Sequence, residues 1–474
     1  MNPAFRRYNF VLFSMCGLAG LLYGIDMGLI AAALPYIKVT CGFSESQLSS
    51  IVAAVMLGCV PGVMCAAWVA EWMGRLAALK VTALVFMVAV PVICLSNGNF
   101  WVMLVGRLLQ GVGCGFMGVT ASLYVVETAT SENRGKGTGM IQLVLSVGLV
   151  VAALIGLGAT VCFGGADVAD VPLAAKNRAW QMMFWISIVP AVVLFVGLFF
   201  LKESPRWLYK RGRRKEAYEA LCMNNPPEVA RRIIADLDAN AASQEINVGG
   251  GEARQDSIFQ GKYLFPLTLA ILIPLFNQAS GVNSLMNYSV VLMQRAGLVG
   301  TAANWADALI KLANLFFTCI AMSFVDRKGR KFLLTIGTSG VTLGLIAVGL
   351  LFAAVERGWL TGGLTTGWII VGAFIIFVGG FAIGPGVCVW LAMTELMPLR
   401  FRAGGMMVAQ FIAMGISYAL AQTFLPWSKA FGDSSIFLTL SVFGLLYFLT
   451  VVFFLPETKG KSLEEIEMYF ASRR

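Results

Sequence analysis

Three asparagines, a glutamine and two serines interrupt one apolar run at about 264–293, in Phe276-Asn277-Gln278-Ala279-Ser280-Gly281-Val282-Asn283-Ser284-Leu285-Met286-Asn287-Tyr288. The run is long enough to cross a bilayer. Polar side chains at that depth are costly unless they face a packed interior or a water-filled cavity. Asn283 and Asn287 lie one helical turn apart on one face, and Gly281 lets the backbone bend or unwind beside them. Amides donate and accept hydrogen bonds at once, which suits a hydroxyl-rich ligand. Amides also hold membrane helices together, and this stretch alone leaves both readings open. A second chemistry rests on Asp26, in Gly24-Ile25-Asp26-Met27-Gly28, and on Arg107, each inside another apolar run. A carboxylate within a span is a functional candidate. Burial favours its neutral form and an arginine nearby favours the anion, so a conformation that moves Arg107 can switch its protonation. A permanent structural ion pair is the alternative. Histidine is absent, so any proton chemistry must run on carboxylates. Lys311 stands three residues before Asn314 on roughly the same helical face. Either its ammonium snorkels toward the external helix end, or it lines a cavity and pairs with an acidic ligand.

Positioning these residues requires a membrane scaffold, and the composition supplies one. Of 474 residues, 58% are hydrophobic and 13% charged, with mean hydropathy +0.79. That is a polytopic membrane protein and excludes a soluble enzyme. Apolar runs fall near 9–37, 46–73, 77–96, 99–126, 137–163, 181–201, 264–294, 302–325, 332–355, 363–394, 403–426 and 435–455, which predicts twelve spanning helices. A polar, basic segment at about 203–261 divides them six and six. Residues 1–10 are short and basic before a run long enough to span, so no cleavable leader is expected. The ten cysteines form no CxxC pair. Most fall in spans as buried thiols; Cys41 and Cys162 look external, and a bridge between them is left open. No metal-ligand set is evident. Gly249-Gly250-Gly251 lacks the lysine and serine of a phosphate cradle, so neither a nucleotide-driven pump nor a cofactor is expected.

The net charge of +10 does not point to nucleic acid, because the positives cluster in alternate loops. With an even number of spans, the side holding both termini carries 27 of the 35 lysines and arginines. The other loops carry six (Lys38, Lys176, Arg178, Arg295, Arg357 and Lys429), and Arg107 and Lys311 lie within spans. Cytoplasmic loops carry the excess of positive charge, which predicts both termini in the cytoplasm. The halves also repeat. Glu71, Gly74 and Arg75 follow the second span as Asp326, Gly329 and Arg330 follow the eighth; Glu127 and Arg134 follow the fourth as Glu395 and Arg402 follow the tenth. Glu203-Ser204-Pro205-Arg206 after the sixth span echoes Pro456-Glu457-Thr458 after the twelfth. Charges repeating only on the cytoplasmic side are expected to lock the two halves together there and to part when the halves rock.

At these motifs the sequence resembles the sugar porter family of the major facilitator superfamily, over nearly the whole chain at 20–467. The resemblance is carried by Gly106-Arg107, Asn133-Arg134-Gly135-Lys136, Glu203-Ser204-Pro205-Arg206-Trp207-Leu208, Asp326-Arg327-Lys328-Gly329-Arg330-Lys331 and Pro456-Glu457-Thr458-Lys459-Gly460, in order. It implies an all-α membrane protein: six-helix bundles at 1–202 and 262–456, a cytoplasmic helical domain at 203–261 and a cytoplasmic tail at 457–474. It also implies monosaccharide passage across the plasma membrane by alternating access, in a monomer. Carried over residue by residue, the resemblance gives sugar contacts at Gln142, Asn277, Gln278, Asn283, Asn314, Trp390 and Gln410. Trp390 follows the helix-breaking Gly384-Pro385-Gly386, and an aromatic face there suits the apolar face of a sugar ring. The family's paired tyrosines read Asn287-Tyr288, and the aromatic beside Gln410 is Phe411. Asp26 resembles the carboxylate of the proton-coupled symporters, with Arg107 as its modulator. The expected function is therefore proton-coupled monosaccharide symport, with a passive facilitator, or a carrier of a polyol or sugar acid, as alternatives. A non-transporting sensor ranks low because the tail is short.

Overall fold

The computed structural model describes residues 3–128, 134–168, 170–248, 261–397 and 402–457; the side chains at 3–4, 134–138, 240–248, 261–263, 326 and 402–403 are outside that description. Twelve spans emerge, all helical, and no strand occurs among the described residues. The first half comprises α1 (Pro3–Cys41), α2 (Glu45–Met73), α3 (Arg75–Cys94), α4 (Phe100–Thr128), α5 (Arg134–Phe163) and α6 (Leu173–Gly197). Three further helices follow: α7 (Pro205–Lys210), α8 (Arg214–Cys222) and α9 (Pro227–Val248). The second half holds α10 (Gly261–Ala279), α11 (Val282–Asn287), α12 (Ser289–Arg295), α13 (Thr301–Lys328), α14 (Arg330–Glu356), α15 (Leu364–Ile383), α16 (Pro385–Leu396), α17 (Arg402–Phe431) and α18 (Asp433–Phe454).

Two expected spans are broken, each at a glycine. Gly281 sits between α10 and α11 at φ +76°, a left-handed conformation that favours glycine. A Cβ there would also lie 2.6 Å from Cδ1 of Leu440. The run read as one helix at 264–294 is therefore three pieces. The run at 363–394 divides at Gly384-Pro385 into α15 and α16, because a proline starts a helix readily but removes a donor from its interior.

The same pairings build both halves. In the first, α1 packs on α5 and α6, α4 on α2 and α3, and α3 on α6. In the second, α10 packs on α17 and α18, α15 on α13 and α14, and α14 on α18. The halves meet where α2 lies along α17 and α5 along α13, with α1 against α11 and α12. This is the two-bundle major facilitator fold.

Where the core is shared decides which face is shut. At the end near Arg295, one buried cluster runs through both halves, from Leu29, Tyr36 and Ile51 to Tyr288, Ile310 and Phe424. At the opposite end, near Arg75, each half keeps its own cluster: Leu12, Phe86 and Tyr124 in the first, Ile273, Leu334 and Tyr447 in the second. The halves are thus sealed at the Arg295 end and separate at the Arg75 end. The small helices α7–α9 form a minor core of their own around Trp207 and Ala217. They dock on the first half, where Trp207 Nε1 donates to Glu71 O at 2.8 Å and Asn224 Nδ2 to Thr128 O at 3.0 Å.

Candidate transport site

Within the first half, α1 and α4 bring Asp26 Oδ1 and Arg107 Nη1 to 3.8 Å, with both side chains almost wholly buried. That separation exceeds a hydrogen bond. The guanidinium turns instead to Gln110 Oε1 at 2.8 Å, one turn along α4, and to Ile51 O of α2 at 3.4 Å. The Cys114 thiol, also from α4, donates to Asp26 Oδ2 at 3.5 Å. The carboxylate is near enough to sense the cation and yet is not clamped by it. Gln110 and Cys114 were not singled out from sequence; both lie on the Arg107 face of α4, at three and seven residues along, and that spacing is the signal that marks them.

The amide cluster forms at the α10–α11 break. Asn283 Nδ2 donates to Gln278 Oε1 at 2.8 Å across the break and to Ser417 Oγ of α17 at 3.3 Å. Asn277 is buried, and its Oδ1 has no hydrogen-bond partner among the described atoms. Asn287 and Asn314 are buried as well, on α11 and α13. Gln410 is partly buried two turns before Ser417 on α17, and so on its face. Gln142 is partly buried on α5, the helix that packs on α13. Trp390, just after the α15–α16 break, leans on the second half's core and stays partly exposed. Phe411, by contrast, is 61% exposed. Hydrogen bonds join Gln278, Asn283 and Ser417 directly; the other residues sit on the surrounding helices without a described contact to that trio.

Lys311 departs from both sequence expectations. It neither snorkels nor faces an open cavity: its side chain is fully buried, with Nζ 2.7 Å from Asp307 Oδ2 and 3.0 Å from Gly28 O. Asp307, a second intramembrane carboxylate, was missed because an acid and a base four residues apart leave the mean hydropathy of the span high. The i,i+4 spacing of opposite charges was the available signal. Ser289 completes the site by donating to Asp307 Oδ1. The external bridge also falls away, because Cys41 and Cys162 are free thiols.

The terminal charges assemble differently from the expected lock. Arg75 holds Glu127 in a two-point contact, Nε to Oε2 and Nη2 to Oε1 at 2.8 Å each, and reaches Glu71 at 3.1 Å. Glu203 then accepts from the backbone N–H groups of Arg75 and Leu76 at 2.9 and 3.1 Å. The second half repeats this: Arg330 meets Glu395 at 3.3 Å, and Glu457 accepts from the N–H groups of Arg330 and Lys331 at 3.0 and 3.2 Å. Each carboxylate caps a helix that starts at a positive-φ glycine, Gly74 or Gly329. Among the described residues these contacts stay within a half, because the halves are apart at this end. Arg206 is exposed, and the side chains of Arg134, Asp326 and Arg402 lie outside the described residues.

Three comparisons bear on this arrangement. Residues 12–470 match the family described as sugar (and other) transporter. The chain is 29% identical to the arabinose-proton symporter of Bacillus subtilis (98% of this chain, 96% of that one). It is 28% identical to the galactose-proton symporter of Escherichia coli (98% and 94%), and 27% to a glucose transporter of Staphylococcus epidermidis (99% and 98%). Among solved structures, the inward-open xylose transporter of Escherichia coli superposes with a TM-score of 0.77 at 23% identity, over 98% of this chain and all of that one.

Proposed function

Because the chain belongs to the sugar (and other) transporter family and is a multi-pass membrane carrier rather than an enzyme, we propose that it takes up a monosaccharide together with a proton by alternating access. The observation that carries this reading is the Asp26 site. A carboxylate sealed inside a span, 3.8 Å from an arginine that bonds elsewhere, can take up and release a proton as the helices around it shift. The names of the arabinose and galactose relatives, both proton symporters, agree with it.

In this reading Gln278 and Asn283 donate to and accept from sugar hydroxyls, and Asn277 offers an acceptor that no atom among the described residues occupies. Asn287, Asn314, Gln142 and Gln410 complete the polar wall, and Trp390 covers an apolar ring face. The substrate is a neutral hexose or pentose: Lys311 is already neutralised by Asp307, so it does not select a sugar acid. The excess of positive charge supports a cytoplasmic position for the Arg75 end, both termini and α7–α9. The carrier works as a monomer in the plasma membrane, and the state described here is open to the cytoplasm.

Uptake of a labelled monosaccharide panel into proteoliposomes, with and without an imposed pH gradient, tests the proposal. Asp26→Asn is expected to lose gradient-driven accumulation while retaining sugar exchange. Equilibration that ignores the gradient equally in both proteins would make this a passive facilitator and Asp26 a structural residue.

A further inference from the structure

A polar stripe runs down one face of α13 at alternating spacings of three and four: Asn304, Asp307, Lys311, Asn314 and Thr318, all buried. Asn314 belongs to the proposed sugar wall. The residues above it reach into the other half: Asn304 Nδ2 donates to Thr160 Oγ1 of α5 at 3.1 Å, and Lys311 Nζ donates to Gly28 O of α1 at 3.0 Å. Other bonds crossing this seam are Gln422 Nε2 to Ser50 Oγ at 2.9 Å and Gly300 N to Asp167 Oδ2 at 2.7 Å. Among the described residues, Lys311 is the only cation that donates across it. The stripe therefore joins the sugar wall to the sealed Arg295 end through one charged contact.

We propose that Lys311, held by Asp307, is a positioning residue that bolts the two halves together at the Arg295 end, one turn from the sugar wall. A charge-assisted bond to a carbonyl is about twice as strong as a neutral one, and here it lies buried beside the shared core. Asp307 supplies the counter-charge without which a buried ammonium would be too costly, and Ser289 fixes the carboxylate from α12. Asp307 and Ser289 travel with the second half, whereas Gly28 travels with the first. Opening the seam therefore breaks the bond to Gly28 O and leaves the ion pair intact. Gly28 follows Asp26 by two residues, close to opposite faces of α1. The helix that bears the proposed proton site is thereby gripped on one side by α4 and on the other by Lys311. Such a use of a buried ion pair, in fixing register between moving parts, fits the general role of these pairs better than a gain in stability.

The inference rests on the proposed rocking of the halves, and its test needs neither sugar nor a proton gradient, so it can fail while proton coupling stands. Ser49, on α2 and fully buried at the sealed end, is replaced by cysteine as a near-isosteric reporter. Its alkylation by a membrane-impermeant maleimide is followed by mass spectrometry of its own peptide, in reconstituted protein. Asp307→Asn/Lys311→Met removes both charges and strands neither, which keeps the variant foldable. It is expected to speed alkylation by at least about tenfold, the loss of one net charge-assisted hydrogen bond. Ser289→Ala loosens Asp307 within the second half but keeps both charges and the bond to Gly28 O, and is expected to leave the rate within about twofold of the parent. Equal rates in the double variant and the parent would overturn the bolt. So would a rise in Ser289→Ala as large as in the double variant, because packing within the second half and not the seam contact would then be at work.

Discussion

Replacing Glu203 by alanine gives the most direct test of how the Arg75 end is held. Glu203 lies beyond α6, 127 and 128 residues from the two α3 N–H groups it accepts from, so it ties the start of the α7–α9 segment to the turn between α2 and α3. Those N–H groups open α3, where no intrahelical partner exists. Each hydrogen bond to a charged acceptor is worth about 1.5–3 kcal/mol net, and the helix dipole adds about 0.3–1 kcal/mol. The site is only partly buried, so water takes over some of both bonds. The expected loss therefore falls below that sum, to about 2–3 kcal/mol. In a chain of this length that lowers the thermal midpoint by a few degrees, roughly 2–4 °C. Five fully or nearly buried thiols, Cys16, Cys59, Cys94, Cys114 and Cys388, report unfolding through a thiol-reactive dye in detergent. Glu457→Ala, at the equivalent place in the second half, should fall by a similar amount. A midpoint for Glu203→Ala within about 1 °C of the parent would refute the capping argument and make the carboxylate an ordinary surface charge.

Gly281→Ala should reduce the yield of folded protein and lower its thermal midpoint, because alanine adds a Cβ clash with Leu440 to a left-handed backbone. The cost is about 1–3 kcal/mol, and an unchanged midpoint would show that the α10–α11 break tolerates a side chain. Asn283→Leu should raise the half-saturation concentration of the transported sugar by roughly tenfold or more, since Gln278 and, in the proposed site, a sugar hydroxyl both lose a partner. Transport kinetics that do not change would place the sugar elsewhere.

Helix existence and order were legible in the sequence because hydropathy and length decide them in a bilayer. The two breaks were partly legible: Gly384-Pro385 announced itself by residue type, and the polar stretch around Gly281 marked a disturbance without fixing where the helix ended. The burial of Asp26 and Arg107 follows from their place in spans. That Arg107 bonds to Gln110 and Ile51 O instead depends on side-chain packing between helices, which no one-dimensional pattern records. Lys311 was misread for a related reason. Its partner Asp307 cancels its charge locally, and whether a buried lysine snorkels or pairs is decided by the neighbour one turn away. The repeated terminal charges were legible as a set, but not their partners. Local pairs form within each half, and a sequence repeat is equally compatible with pairs across the halves.

The unequal distribution of the buried core makes the two faces kinetically unlike. Closing the Arg75 side brings together two surfaces that each already have an interior of their own, whereas parting the Arg295 side must expose a continuous buried core from Leu29 to Phe424. In the proposed alternating-access cycle, an empty carrier built this way is expected to dwell with its cavity toward the Arg75 side, with its unloaded return as the slow step. One-for-one swapping of solute, in which a loaded carrier shuttles both ways and skips that return, should then outrun net entry.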